Sequence, residues 1–125
     1  MPGAIDFEPE YTWAVLRDIT IKDNIFENIL GTIGVISIVT GVDVAIQNVL
    51  IDNNTIKTVT NGCAFNISNL SSVALSYDGN IFVKNNSIEA SNRAFSVDGI
   101  KNIHIIENTF KECNNASLLG LTKKK

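Results

Sequence analysis

The chain has 125 residues, enough for one domain around one core. It is 45% hydrophobic but only 7% aromatic, the balance expected of a thin core filled by Ile and Val. A net charge of −3 argues against a nucleic-acid partner; the N-terminus has no apolar stretch of signal-peptide length and no run is long enough to span a membrane, so a membrane is not an expected partner either.

The first element is Ala4-Ile5-Asp6-Phe7-Glu8, which alternates apolar and polar residues as a half-buried strand does. Next comes Ile19-Thr-Ile21-Lys-Asp-Asn24-Ile-Phe26, a phrase that recurs three times. Its copies are Val49-Leu-Ile51-Asp-Asn-Asn54-Thr-Ile56, Ile81-Phe-Val83-Lys-Asn-Asn86-Ser-Ile88 and Ile103-His-Ile105-Ile-Glu-Asn108-Thr-Phe110. Each copy alternates, breaks at Asn and resumes. Asn tolerates left-handed backbone angles and bonds to nearby main chain, so the phrase predicts strand, sharp corner, second strand. The Asn spacings of 30, 32 and 22 residues give one coil per repeat. Asn24, Asn54, Asn86 and Asn108 are therefore expected to stack as a ladder inside the corner.

A second row keeps the same beat. Val35-Ile-Ser-Ile38-Val, Ala64-Phe-Asn-Ile67-Ser and Ala94-Phe-Ser-Val97-Asp repeat the form of Ala4 to Glu8, and Ala116-Ser-Leu-Leu119 is a degraded fifth copy. This row supplies a third strand per coil. The stretch Gly31 to Val49 is apolar, but its Val, Ile, Thr and Gly favour strands and bends over a helix. The predicted fold is an all-β, right-handed parallel β-helix, a single-stranded solenoid of roughly four coils with an Asn ladder. It is expected to span residues 1–122, truncated on its N-terminal side, with a basic tail at 123–125. Only three residues precede the first strand, too few for the polar cap that usually covers a solenoid. The uncapped coils point to a fragment, to self-stacking or to a trimer. Cys63 and Cys113 fall two coils apart, about 10 Å, too far for a disulfide.

The phrases NVLIDNNTI, NIFVKNNSI and NIHIIENTF, with GAIDFEPE at the start, resemble the parallel β-helix repeat region of the pectin-lyase-like superfamily. That group includes polysaccharide lyases, glycoside hydrolases, sugar epimerases and phage tail-spike depolymerases. The resemblance covers Gly3 to about Leu119 and implies the fold, a polysaccharide as partner, and a parent protein that is extracellular or virion-associated. It does not supply an active site, because the repeat residues build core and corner. The polygalacturonase branch places aspartates just before the strand marked here by Ala4, Ala64 and Ala94. Those positions read Met1-Pro2-Gly3, Asn61-Gly62-Cys63 and Ser91-Asn92-Arg93, without an aspartate.

Alternation turns Ile5, Phe7, Ile36, Ile38, Phe65, Ile67, Phe95 and Val97 inward. Asp6, Ser37, Asn66 and Ser96 form one outward row, and Glu8, Val39, Ser68 and Asp98 another. Short hydroxyl and amide groups suit sugar hydroxyls, since both donate and accept. Asp6 and Glu8 are the candidate catalytic pair, two strand rises or about 6–7 Å apart, and close carboxylates separate into acid and base. The competing reading is an acidic end that blocks edge pairing. Tyr11 and Trp13 are candidate sugar platforms, or a plug over the open core. Ser37, Asn66, Arg93, Ser96 and Asp98 are the remaining substrate-binding candidates, with Arg93 offered to an anionic sugar or read as plain surface charge. Tyr77 and Asp78, in the loop from Asn69 to Asn80, are weaker candidates, and His104 carries no role. No cofactor or metal is expected. Calcium would suit the oxygens of Asp6 and Glu8, but nothing else in the sequence completes a ligand set. The sequence thus leaves two readings: a polysaccharide-active lyase or hydrolase module, and a non-catalytic binding or structural solenoid.

Overall fold

The computed structural model describes residues 4–8, 16–29, 34–40, 46–69, 79–100, 102–111 and 113, with backbone alone at 58–61, 69 and 90–92. Tyr11, Trp13, Tyr77, Asp78, the degraded copy Ala116 to Leu119 and the basic tail lie outside the described residues. Among the described residues ten strands follow one another: β1 (Ile5–Phe7), β2 (Leu16–Lys22), β3 (Ile25–Glu27), β4 (Gly34–Thr40), β5 (Ile46–Asp52), β6 (Thr55–Asn69), β7 (Gly79–Lys84), β8 (Ser87–Asp98), β9 (Ile103–Ile106) and β10 (Thr109–Lys111). There is no helix among the described residues. Every pairing between strands is parallel.

Sheet one stacks β2, β5, β7 and β9 in that order. Sheets two and three share the long strands β6 and β8. Sheet two stacks β3, the first part of β6, the first part of β8, and β10. Sheet three stacks β1, β4 and the second parts of β6 and β8. A register shift between Val59 and Cys63 separates the two parts. The sequence predicts distinct second and third strands; the chain instead passes this second bend in extended backbone. Each coil thus contributes to three sheets, and each sheet is four strands deep. This is the parallel β-helix that the repeat predicts.

The first bend is sharp because of two consecutive residues. Asp23, Asn53, Asn85 and Glu107 adopt left-handed backbone with φ of 60°, 54°, 56° and 55°. Asp and Asn reach this region at low cost, and Glu107 is the one longer side chain held there. The next residue in each coil is the ladder Asn. Asn54 Oδ1 accepts from Asn24 N and Nδ2, both at 3.1 Å. Asn86 Oδ1 accepts from Asn54 N at 2.8 Å and Nδ2 at 3.0 Å. Asn108 Oδ1 accepts from Asn86 N and Nδ2, both at 2.9 Å. The Nδ2 groups of Asn54, Asn86 and Asn108 also donate to the carbonyls of Ile21, Ile51 and Val83 in the preceding coil, at 3.0, 3.1 and 2.8 Å. Asn54 and Asn86 are each only 1% exposed, so the ladder lies inside the corner as expected. Burial is tolerable because each side-chain oxygen and nitrogen is satisfied.

The core consists of rows along the solenoid axis. Ile21, Ile51 and Val83 line sheet one, Ile56 and Ile88 line sheet two, and Ile36, Phe65 and Phe95 line sheet three. Phe65 and Phe95 stack with ring centroids 5.2 Å apart and planes inclined by 22°. Outward rows carry charges of alternating sign. On sheet two the row is Glu27, Lys57, Glu89, Lys111. On sheet one it is Lys22, Asp52, Lys84. The Lys22–Asp52 and Lys111–Glu89 pairs each close to 4.0 Å. Pairs this long and open to solvent on the lysine side add less than about 1 kcal/mol each, and they fix register more than they stabilise.

Both cysteines are free. Burial raises the Cys63 thiol from 9.0 to about 11, against the opposing pull of the Arg93 charge and of a backbone hydrogen bond. Cys63 is thus a neutral core thiol at physiological pH, not a nucleophile.

Candidate functional site

The outer face of sheet three gathers most of the described candidate residues. The register Asp6–Ser37–Asn66–Ser96 runs straight across β1, β4, β6 and β8, as the sequence predicts. The register Val39–Ser68–Asp98 runs beside it. The row is not uniformly open, however. Ser37 is fully buried, so it offers no surface to a ligand. Its hydroxyl and that of Thr40, also fully buried, have no hydrogen-bond partner among the described residues. Alternation gives the direction of a side chain but not what lies over it, which is why Ser37 reads as exposed from the sequence.

Asn66 and Ser96 are half-exposed neighbours on adjacent strands, and Asp98 is exposed two residues beyond Ser96. Ser68 Oγ donates to Asn66 Oδ1 at 3.1 Å. That bond fixes the amide so that Nδ2 is the group Asn66 presents. Gly34 makes room for it: a Cβ there would sit 3.0 Å from the Asn66 Cβ. The result is a small patch with an oriented amide, a hydroxyl and a carboxylate.

Asp6 and Glu8 are exposed at the far end of the row. Among the described residues β1 pairs with β4 alone, and Glu8 follows the last residue of β1. Asp6 lies two strand spacings from Asn66, about 10 Å, with buried Ser37 between them. The structure therefore does not bring the carboxylate pair into the Asn66–Ser96–Asp98 patch. Arg93 is also set apart. It aligns with Cys63 at the bend, on the alternation of core-facing Phe95 and not that of Ser96. Among the described residues there is no group of three or more His, Cys, Asp or Glu side chains that would hold a metal ion.

The outer face of sheet one holds features that reading for apolar alternation passes over. Asp18, Asn48, Asn80 and Asn102 each sit six residues before a ladder Asn, and all have left-handed φ between 53° and 58°. They form a second ladder, on the surface: Asn48 Nδ2 donates to Asp18 Oδ1 and Asn80 Nδ2 to Asn48 Oδ1, both at 3.1 Å. A third row lies at the corner, where Asn53 Nδ2 donates to Asp23 Oδ1 at 2.8 Å and Asn85 Nδ2 to Asp52 Oδ1 at 3.2 Å. The signal is present in the sequence as an Asp or Asn immediately before every copy of the repeat. Between these rows His104, read as outward and without a role, stacks on Phe82 with centroids 4.7 Å apart and planes inclined by 14°.

No family model, no curated protein and no solved structure matches the chain. The fold rests on the strand pairing and ladders above, and the site on its geometry alone.

Proposed function

We propose that this β-helix binds a polysaccharide along the outer face of sheet three, and that its role is binding and not bond cleavage. The repeat phrases resemble those of the pectin-lyase-like superfamily, and membership in that group would make a glycan the natural ligand. The observation that carries the binding reading is the Asn66–Ser96–Asp98 patch, where the Ser68 hydrogen bond fixes the amide for a sugar hydroxyl. The observation against cleavage is the position of Asp6 and Glu8. Glycoside hydrolysis needs two carboxyl groups flanking one bond, held by a formed site. Here Asp6 lies on β1 and Glu8 just past its end, and the buried Ser37 separates Asp6 from the Asn66–Ser96–Asp98 patch.

The test is affinity electrophoresis of the protein in acidic and neutral polysaccharides, with reducing-end and unsaturated-product detection in parallel. One polysaccharide class should retard the protein without product release. Asn66→Ala with Ser96→Ala should weaken that binding about tenfold, from the loss of two hydrogen bonds of roughly 0.5–1.5 kcal/mol each. Asp6→Asn with Glu8→Gln should leave it unchanged. Product release abolished by the Asp6/Glu8 pair would restore the enzyme reading, and failure of the folded protein to bind any glycan would remove the binding one. A purely structural solenoid is the second reading, favoured by the alternating charge rows.

A further inference from the structure

We propose that the glycan held by the outer face of sheet three is neutral, and that this face discriminates against anionic polysaccharides. The inference rests on the binding reading above and names the ligand class of the same site.

Sheet three differs from the other two sheets in the charge of its outer face. Sheets one and two carry rows of alternating sign, Lys22–Asp52–Lys84 and Glu27–Lys57–Glu89–Lys111. On sheet three the charged side chains among the described residues are Asp6, Glu8 and Asp98, all exposed, and no Lys or Arg points outward with them. The connections that follow β1, β4 and β6 in the chain, residues 9–15, 41–45 and 70–78, add Glu10, Asp43 and Asp78 and no basic residue, while Lys101 follows β8.

Asp98 is the acid that belongs to the patch. It enters no ion pair among the described residues. Its register partner is Ser68, whose hydroxyl donates to Asn66 Oδ1 at 3.1 Å and so is not available to the carboxylate. The patch therefore presents Asn66 Nδ2 as a donor and the Asp98 oxygens as acceptors, with the Ser96 hydroxyl able to do either.

A sugar with free hydroxyls meets all three groups. One hydroxyl oxygen accepts from Asn66 Nδ2, and another hydroxyl donates to Asp98 in a charge-assisted bond. Asn66 and Ser96 lie one strand spacing apart, about 4.8 Å, and Ser96 and Asp98 two strand rises apart, about 6–7 Å, which a short run of sugar rings spans. A uronate, sulfate or phosphate on the same run would set its charge beside Asp98, with no described cation on the face to offset the repulsion. A longer chain following the row would meet Asp6 as well. An amino sugar would suit Asp98, but its ammonium has no acceptor for Asn66 Nδ2.

The test is affinity electrophoresis in dextran, galactomannan and a β-1,3-glucan, each beside its carboxymethylated form, and in polygalacturonate beside its carboxyl-reduced form, with calcium and with EDTA in turn. The neutral member of at least one pair should retard the protein, and its charged member should bind at least about tenfold more weakly in both buffers. Asp98→Asn should narrow that ratio to about threefold or less, because the amide keeps a hydrogen-bonding group and loses the charge. Glu27→Gln, on sheet two, removes one negative charge from the same net −3 and should leave the ratio unchanged. That contrast separates the charge of the site from the charge of the whole protein and from the bulk of the carboxymethyl group. Equal or stronger retardation by the charged members, with or without calcium, overturns the neutral-ligand proposal and leaves the binding reading standing. So does a ratio that Asp98→Asn does not change, or that Glu27→Gln changes as much. Failure to bind any member of any pair, with β-sheet circular dichroism intact, removes both.

Discussion

Phe65→Ala lowers the unfolding free energy by about 3–5 kcal/mol, read as a shift of the urea midpoint at constant slope. Phe65 is fully buried and sits in register between Ile36 and Phe95, with its ring stacked on that of Phe95. The size of the loss follows from the solenoid. Parallel ladders on both sides of the second part of β6 fix the coil spacing, so the neighbours cannot close on the void. A cavity that cannot collapse costs the lost transfer energy and the lost packing together. Against a typical total of about 5–15 kcal/mol, this one truncation leaves a marginal fold. Phe65→Leu keeps most of the volume and should cost under about 1.5 kcal/mol. Similar midpoints for Ala and Leu would mean that the Phe65–Phe95 stack does not lie in the core.

Asn86→Ala costs about 3 kcal/mol by the same measurement, although the group removed is a polar amide and no apolar side chain is lost. The Asn86 amide makes four bonds: from Asn54 N and Nδ2, to Ile51 O and to Asn108 Oδ1. Truncation leaves the buried Asn54 N–H without its acceptor and the Ile51 carbonyl without this donor. Each unmet buried group costs about 1–3 kcal/mol, more than a made bond contributes. The comparison is Asn80→Gly, in the surface ladder. Glycine keeps the left-handed backbone that Asn80 needs, the lost bond is exposed, and the change should stay within about 0.5 kcal/mol. Equal losses at the two positions would mean that the corner ladder is no better shielded from water than the surface one.

Much of this architecture was legible in the residues because the repeat is short and each position has one physical job. Ile21, Ile51 and Val83 recur at one register because each must face the same thin core, and Asn24, Asn54, Asn86 and Asn108 because the corner needs a side chain that both donates and accepts. The left-handed rows at Asp18, Asn48, Asn80 and Asn102 were equally regular. They escape a search for apolar alternation because their signal is a polar residue at a position of special backbone. The candidate site was less legible. Asn66 and Ser96 fall beside each other as alternation predicts, but burial of Ser37 depends on more than strand parity. Arg93 could not be placed from alternation, because the register shifts between Val59 and Cys63 just before it.

The stacked register is what the binding row depends on, and one spectrum tests it. In a nuclear Overhauser spectrum of the folded protein, the side-chain amide protons of Asn54 should show contacts to Asn86, and those of Asn86 to Asn108, across 32 and 22 residues of sequence. Side-chain amides of Asn54 and Asn86 that contact only water and their sequence neighbours would contradict the β-helix and everything built on its rows.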